Sequence, residues 1–285
     1  MTDPARTGPW PVNHQDWRAL LEWLYQSPPL LAPPAGSELL DPLLEPHQPD
    51  DSLLQQASER FTASSDRRLG KLFEVLLGVA VEAQPQLDIL ARNVVISSEQ
   101  RTLGELDMII RDRRNQSVIH VEATLKFYLG LPDGRFPGPN PKDTLARKHH
   151  HLASHQFPLT TLAATRERLA TLGLPAIDRQ CLFSRGRLFY PHGRTLAAPP
   201  QAWPGHARGD WWRAASTPSD CRWRVLSRPQ WLAPESMSDS ADLRLASDAL
   251  IDYVQARHRP LMVVRDDPSG DPCPAFVVPD RGWPT

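Results

Sequence analysis

From Ile119 to Tyr128 the chain alternates apolar and polar side chains almost without a break. Ile119, Val121, Ala123, Leu125 and Phe127 fall on one side, His120, Glu122, Thr124, Lys126 and Tyr128 on the other. A period of two is the signature of a strand that turns one face to a core and the other to water or a cleft. Upstream, Leu106, Met108 and Ile110 alternate with Glu105, Asp107, Ile109 and Arg111 and read as a second strand. The polar residues between the two runs predict a hairpin whose loop, of two or four residues, is centred on Arg114-Asn115. That register sets Asp107 opposite Glu122 and Glu105 opposite Thr124. Directly opposed side chains share a face, with Cβ atoms about 4.5–5.5 Å apart.

Two like charges held opposite each other destabilise a sheet unless something compensates them. A hard divalent cation is the natural compensation, because Mg²⁺ is held by one or two carboxylates with water and phosphate oxygens. Asp107 and Glu122 are therefore the candidate ligands for Mg²⁺ or Mn²⁺. Glu74, on a preceding helix, could add a third carboxylate, and Lys126, on the same strand face as Glu122, could position water or phosphate. The plain alternative makes Asp107 and Glu122 solvent-face residues and pairs Glu74 with Lys71. An odd-length hairpin loop would favour it, since the two carboxylates would then lie on opposite faces.

The flanking sequence supplies helices and further strands. His14–Gln26 carries Trp17, Leu20, Leu21 and Leu24 at helical spacing. Prolines from Pro28 to Pro49 predict an extended connector. Leu69, Leu72, Phe73, Leu76 and Leu77 mark a second helix, stopped by Pro85, and LDILARNVVIS reads as the first strand of the core. After the hairpin come two helical runs, TLARKHHHLASHQ and TTLAATRERLATLG. A β-hairpin is expected over Gln180–Tyr190, turning at Arg185-Gly186. The tail predicts a helix near Ala241–Arg257 and short apolar strands at PLMVV and AFVVP.

Three cysteines without CxxC spacing argue against a disulfide framework and a structural zinc site. His151 and His155 share a helical face, but no third ligand stands at a diagnostic spacing. Lys148, His155 and Gln156 on that helix are instead candidates to approach a phosphate. The beginning, MTDPARTGPW, lacks a charged region followed by an apolar run, and no stretch approaches the roughly 18 apolar residues of a membrane helix. A cytoplasmic location with no membrane association is expected. The C-terminal half mixes arginines with Trp203, Trp211, Trp212, Trp223 and Trp231, a combination used in single-strand grooves but more often in core packing. Nothing resembling GxxxxGK[ST] indicates ATP hydrolysis.

The segments GELDMIIRD and VIHVEATLKFYLG, the helix with KHHHLASHQFPL and the closing FVVPDRGWP resemble the bacterial family known as domain of unknown function 1853. The resemblance runs from about Leu69 to the C-terminus. It implies the PD-(D/E)XK nuclease-like superfamily, an α/β fold with an α-β-β-β-α-β core. On that resemblance Glu74 is the helical acid, Asp107 the first strand carboxylate and Glu122 the second. The superfamily's lysine stands two residues after the second carboxylate, where this chain has Thr124. Lys126 lies four residues on, about 13 Å along an extended strand, and Lys148 on the next helix is the other lysine within the pattern.

The expected organisation is an N-terminal helix and proline-rich connector over residues 1–60, a nuclease-like core over 61–200 and a C-terminal α+β extension over 201–285. The expected activity is Mg²⁺-dependent phosphodiester hydrolysis on DNA or RNA. The site is Asp107 and Glu122 as metal ligands, Glu74 and Lys126 as further catalytic groups, and Lys148, His155 and Gln156 against substrate. The displaced lysine supports the alternative, an inactive nuclease-fold protein that binds nucleic acid or a protein partner.

Overall fold

Two of the N-terminal helices start on side-chain caps. Asn13 accepts the N–H of Asp16 at 2.9 Å at the start of α1 (His14–Gln26), and Asp50 accepts that of Leu53 at 2.8 Å at the start of α2 (Asp51–Ala63). The computed structural model describes residues 10, 13–66, 68–98, 101–234, 242–266 and 273–284. Helix α1 buries Trp17, Leu20, Leu21 and Leu24, the residues whose spacing predicted it. Helix α2, which the sequence reading did not name, follows the proline-rich connector. Pro49 precedes its cap, where a missing N–H costs the helix nothing, and no proline follows until Pro85. Before it, the proline-rich stretch forms the short strand β1 (Glu38–Leu39) and a 3₁₀ turn at Asp41–Leu43.

The chain divides into two compact units. One comprises Leu31–Leu125 and Ala146–Arg185, the other Met1–Leu30, Lys126–Leu145 and Gly186–Thr285. In the first unit, α3 (Leu69–Glu82) is followed by β2 (Leu87–Ser98), β3 (Arg101–Asp112) and β4 (Ser117–Leu129). Next come α4 (Leu145–His151), continued by a π-helical turn at Leu152–Gln156, then α5 (Ala163–Thr171) and β5 (Arg179–Pro191). Strands neighbour one another in the order β2-β3-β4-β5, and β1 joins β5 in parallel. The fold is mixed α/β. Val94, Ile96, Leu106, Ile109 and Val118 pack with Leu159 and Leu169 in the core of this unit.

The hairpin register is the expected one. Met108 pairs with Val121, Ile110 with Ile119 and Asp112 with Ser117, around a loop at residues 113–116. The polar face of β4 differs from expectation. His120, Glu122, Thr124 and Tyr128 are all buried, so both faces of the strand are covered. Polar alternation cannot tell a solvated face from one roofed by a helix.

Strand β5 also departs from the sequence reading. The expected hairpin at Arg185-Gly186 does not form, and the strand runs unbroken from Arg179 to Pro191. Gly186 is present for a close approach. Its φ is +127°, and a Cβ built there would lie 1.8 Å from the carbonyl oxygen of Lys126. Both the dihedral and the contact exclude a side chain. Gly186→Ala is therefore expected to cost roughly 3 kcal/mol or more in urea unfolding, as overpacking and backbone strain combine. A loss below about 1 kcal/mol would show that β4 and β5 can separate there without consequence.

In the second unit, β5 is followed by β6 (Arg208–Arg213), β7 (Arg222–Val225) and β8 (Arg244–Ala246). Helix α6 (Ser247–Arg257), β9 (Leu261–Arg265) and β10 (Pro274–Val278) complete it, in the strand order β5-β6-β10-β9-β7-β8. Helix α6 begins at Ser247, whereas the sequence reading begins near Ala241, which lies outside the described residues. Trp223 is fully buried with Val225, Leu250, Val254 and Val263. Trp231 meets Phe127 and Phe276 edge to face. These tryptophans are core, as the packing alternative had it. No disulfide joins Cys181, Cys221 and Cys273. Among the described residues no helix is long and apolar enough to cross a membrane.

Candidate active site

The paired carboxylates sit where the β3–β4 ladder gives way to side-chain contacts. The main-chain register described for the two strands ends at Met108 and Val121. One step further, the carboxyl of Asp107 accepts the N–H of Ala123 at 2.9 Å through Oδ2. Asp107 thereby does the work of a backbone acceptor and fixes its own side chain beside β4. Glu122, across the same register, has 2% of its surface exposed.

Glu122 is held from the helical layer. Lys148, on α4, lies 3.4 Å from Oε1 through Nζ, and Gln156, on the π-helical turn, donates to Oε2 at 3.0 Å. Placing both donors on one carboxylate depends on that turn, whose wider winding carries Gln156 round to the face of Lys148. His155 is not brought to Glu122; its exposed ring stacks on His151, with centroids 4.8 Å apart.

Electrostatics follow from this enclosure. Burial, and then the charge of Glu122, push the carboxyl of Asp107 up to about 7, against the pull of the Ala123 N–H and Lys148. Glu122 is raised too, chiefly by burial, while Lys148 and Gln156 draw it back down. Next to Glu122 on the same strand face, the fully buried ring of His120 has neither nitrogen hydrogen-bonded, and burial pushes its titration down to about 4. It is a neutral imidazole set edge-on against Phe157.

Glu74 reaches the same place from α3. It lines a cavity of about 210 Å³ with Asp107, and its charge adds to the upward pressure on that carboxyl. It also pairs with Lys71 at 3.1 Å. Among the described residues, no three His, Cys, Asp or Glu side chains converge closely enough to hold a metal between them. The arrangement is thus a carboxylate pair with a more distant acid. Lys126 is committed elsewhere: its Nζ lies 2.5 Å from Asp143, which also accepts from the Tyr128 hydroxyl at 3.4 Å.

The remaining cavity wall went unread in the sequence. Arg60 and Arg92 line it, and both bind Glu82, Arg60 through Nη1 at 2.8 Å and Arg92 through Nη2 at 2.8 Å. Their spacing along the chain carries no periodic signal, because α2 and β2 supply one arginine each.

A family model described as "Domain of unknown function (DUF1853)" matches residues 19–273. The chain belongs to the DUF1853 family. The match starts well before Leu69, so α2 and most of α1 belong to the DUF1853 domain along with the strands that carry the carboxylates. No curated protein and no solved structure matches the chain.

Proposed function

We propose that this DUF1853 protein is a divalent-cation-dependent phosphodiesterase of the PD-(D/E)XK type, acting on DNA or RNA. The observation that carries the reading is the Asp107–Glu122 pair, with Glu122 buried, Asp107 half-buried and Lys148 set on Glu122. The element order α3-β2-β3-β4-α4-α5-β5 supports the reading, with α5 added to the α-β-β-β-α-β pattern of the superfamily.

The donor set fits Mg²⁺ or Mn²⁺. Asp107 is half-buried, faces the cavity, and uses one oxygen on the Ala123 N–H, while its raised titration marks charge that the protein alone leaves under-compensated. Two carboxylates, with water and phosphate oxygens completing the shell, are the usual complement for this ion. When bound, the cation would lower the pKa of a coordinated water and stabilise negative charge on the phosphodiester.

The chain's own groups have separable roles. Asp107 and Glu122 supply anionic oxygens, and Gln156 fixes the orientation of Glu122. Lys148 takes the part that Thr124 cannot play, with its ammonium beside the carboxylate pair from the helix instead of the strand. Lys126, paired with Asp143, serves its own neighbourhood. A second reading, a nuclease-fold binding module without cleavage, rests on the same Lys148, because its ion pair with Glu122 compensates part of the buried charge without any cation.

Calorimetry with Mg²⁺ or Mn²⁺ and cleavage assays on single- and double-stranded DNA and RNA separate the readings. The wild-type protein is expected to bind and cleave, and the Asp107→Asn, Glu122→Gln double variant to do neither. Binding without cleavage supports the module. Absence of divalent binding, even with nucleic acid present, sinks the metal site.

A further inference from the structure

The cavity beside Asp107 has a second chemistry that the carboxylate pair does not use. Its polar rim carries three cations, Arg60, Lys71 and Arg92, against Glu74 and Asp107, with Lys71 paired to Glu74. Its floor is apolar, made by Val75, Leu77 and Met108. Two of the cations are built into position. Glu82 accepts from both arginines, and Gln56 takes the other terminal nitrogen of Arg60 at 3.3 Å. This brings two like charges together around one carboxylate and leaves Nε and Nη1 of Arg92 without a partner among the described residues.

Gly78 on α3 makes the placement possible. A Cβ built there would lie 2.8 Å from Nη2 of Arg92 and 3.4 Å from its Cζ. The guanidinium therefore rests on the bare backbone of the helix, in a space that any side chain would fill. A planar guanidinium with free N–H groups beside a second cation suits a phosphate, while an apolar floor suits the flat face of a base. A volume of about 210 Å³ lies below the range of pockets for larger ligands, so it fits a small unit.

Resting on the phosphodiesterase reading, we propose that this cavity is a mononucleotide subsite. It takes one nucleotide unit of the substrate strand, its phosphate on Arg92 with Arg60 and Lys71 and its base over Val75, Leu77 and Met108. A subsite for a single unit next to the carboxylate pair makes a single-stranded end or unpaired segment the substrate, and disfavours an intact duplex. Gly78 and Glu82 are positioning residues, acting through Arg92.

The test is calorimetric titration of the full chain without divalent ions, using a 5′-nucleoside monophosphate, the matching nucleoside and inorganic phosphate. The monophosphate is expected to bind at least tenfold more tightly than either fragment. Arg92→Ala is expected to weaken it at least tenfold. Gly78→Ala should do the same while leaving the circular dichroism melt close to wild type, because only the end of a flexible side chain must move. No detectable monophosphate binding, or binding unchanged in both Arg92→Ala and Gly78→Ala, overturns the subsite. Phosphate binding as tightly as the monophosphate overturns the nucleotide assignment in favour of a plain anion site. Because the titration contains no divalent ion, its failure beside intact Mg²⁺-dependent cleavage counts against this inference alone. Binding with no cleavage counts against the phosphodiesterase reading alone.

Discussion

Lys148→Met is expected to destabilise the protein by about 3–5 kcal/mol near pH 8, the usual cost of leaving one partner of a buried ion pair uncompensated. Lys148 is 17% exposed and Glu122 only 2%, so water cannot take over the lysine's role. Without the ammonium, Glu122 loses the leading influence that draws its titration back toward the ordinary range, while the burial that raises it stays. A carboxyl with a folded pKa above its unfolded value contributes most stability below the unfolded pKa. That contribution is lost as pH rises toward and through the folded pKa. The gap between wild type and Lys148→Met should therefore widen as pH rises from about 5 to 8. Urea unfolding at several pH values measures it. Lys126→Met is the control, since its pair with Asp143 is more open, at 29% and 36% exposure, and an exposed pair is worth about 0–1 kcal/mol. Equal effects from the two lysines would show that Glu122 does not depend on Lys148.

Asp107→Asn should act in the opposite direction. Asparagine keeps a side-chain oxygen for the N–H of Ala123 and removes the charge that Glu122 and burial both oppose. Burial and Glu122 push the wild-type carboxyl up to about 7 in the folded protein, from an ordinary 3.8. Its ionisation then withdraws on the order of 4 kcal/mol of stability between about pH 4 and pH 8. The variant should be the more stable protein at pH 8, with the advantage shrinking as pH falls toward 5. Mg²⁺ should reverse the order, because a ligand that binds only the folded wild type stabilises it by mass action. Melting temperatures of both proteins at pH 8, with and without Mg²⁺, check this. A variant less stable than wild type in the absence of metal would mean that the Asp107 charge is already well compensated.

The carboxylate pair was legible because its position depends on one loop. A register counted from Arg114-Asn115 fixes which residues oppose, and parity does the rest. Helix α1 was equally plain, since Trp17, Leu20, Leu21 and Leu24 make a continuous buried stripe. Helix α2 was hidden behind the prolines that precede it, although Asp50 is an ordinary cap. At Gly186 the sequence offers two meanings of glycine, a turn or a close approach, and only a neighbouring strand decides between them. The choice of Lys148 over Lys126 could not be read along one strand. It depends on how α4 lies over β4, a tertiary fact that local spacing does not encode. The arginine clasp on Glu82 belongs to the same class, since α2, α3 and β2 each supply one member.

The interleaving of the two units has a consequence for how the chain is made. Leu31–Leu125 and Ala146–Arg185 are nearly consecutive, so the unit with the carboxylate pair can close soon after Arg185 leaves the ribosome. The other unit joins Met1–Leu30 to Gly186–Thr285, and its first helix must wait for strands synthesised last. The contacts that complete this unit span most of the sequence, and such long-range closure is slow.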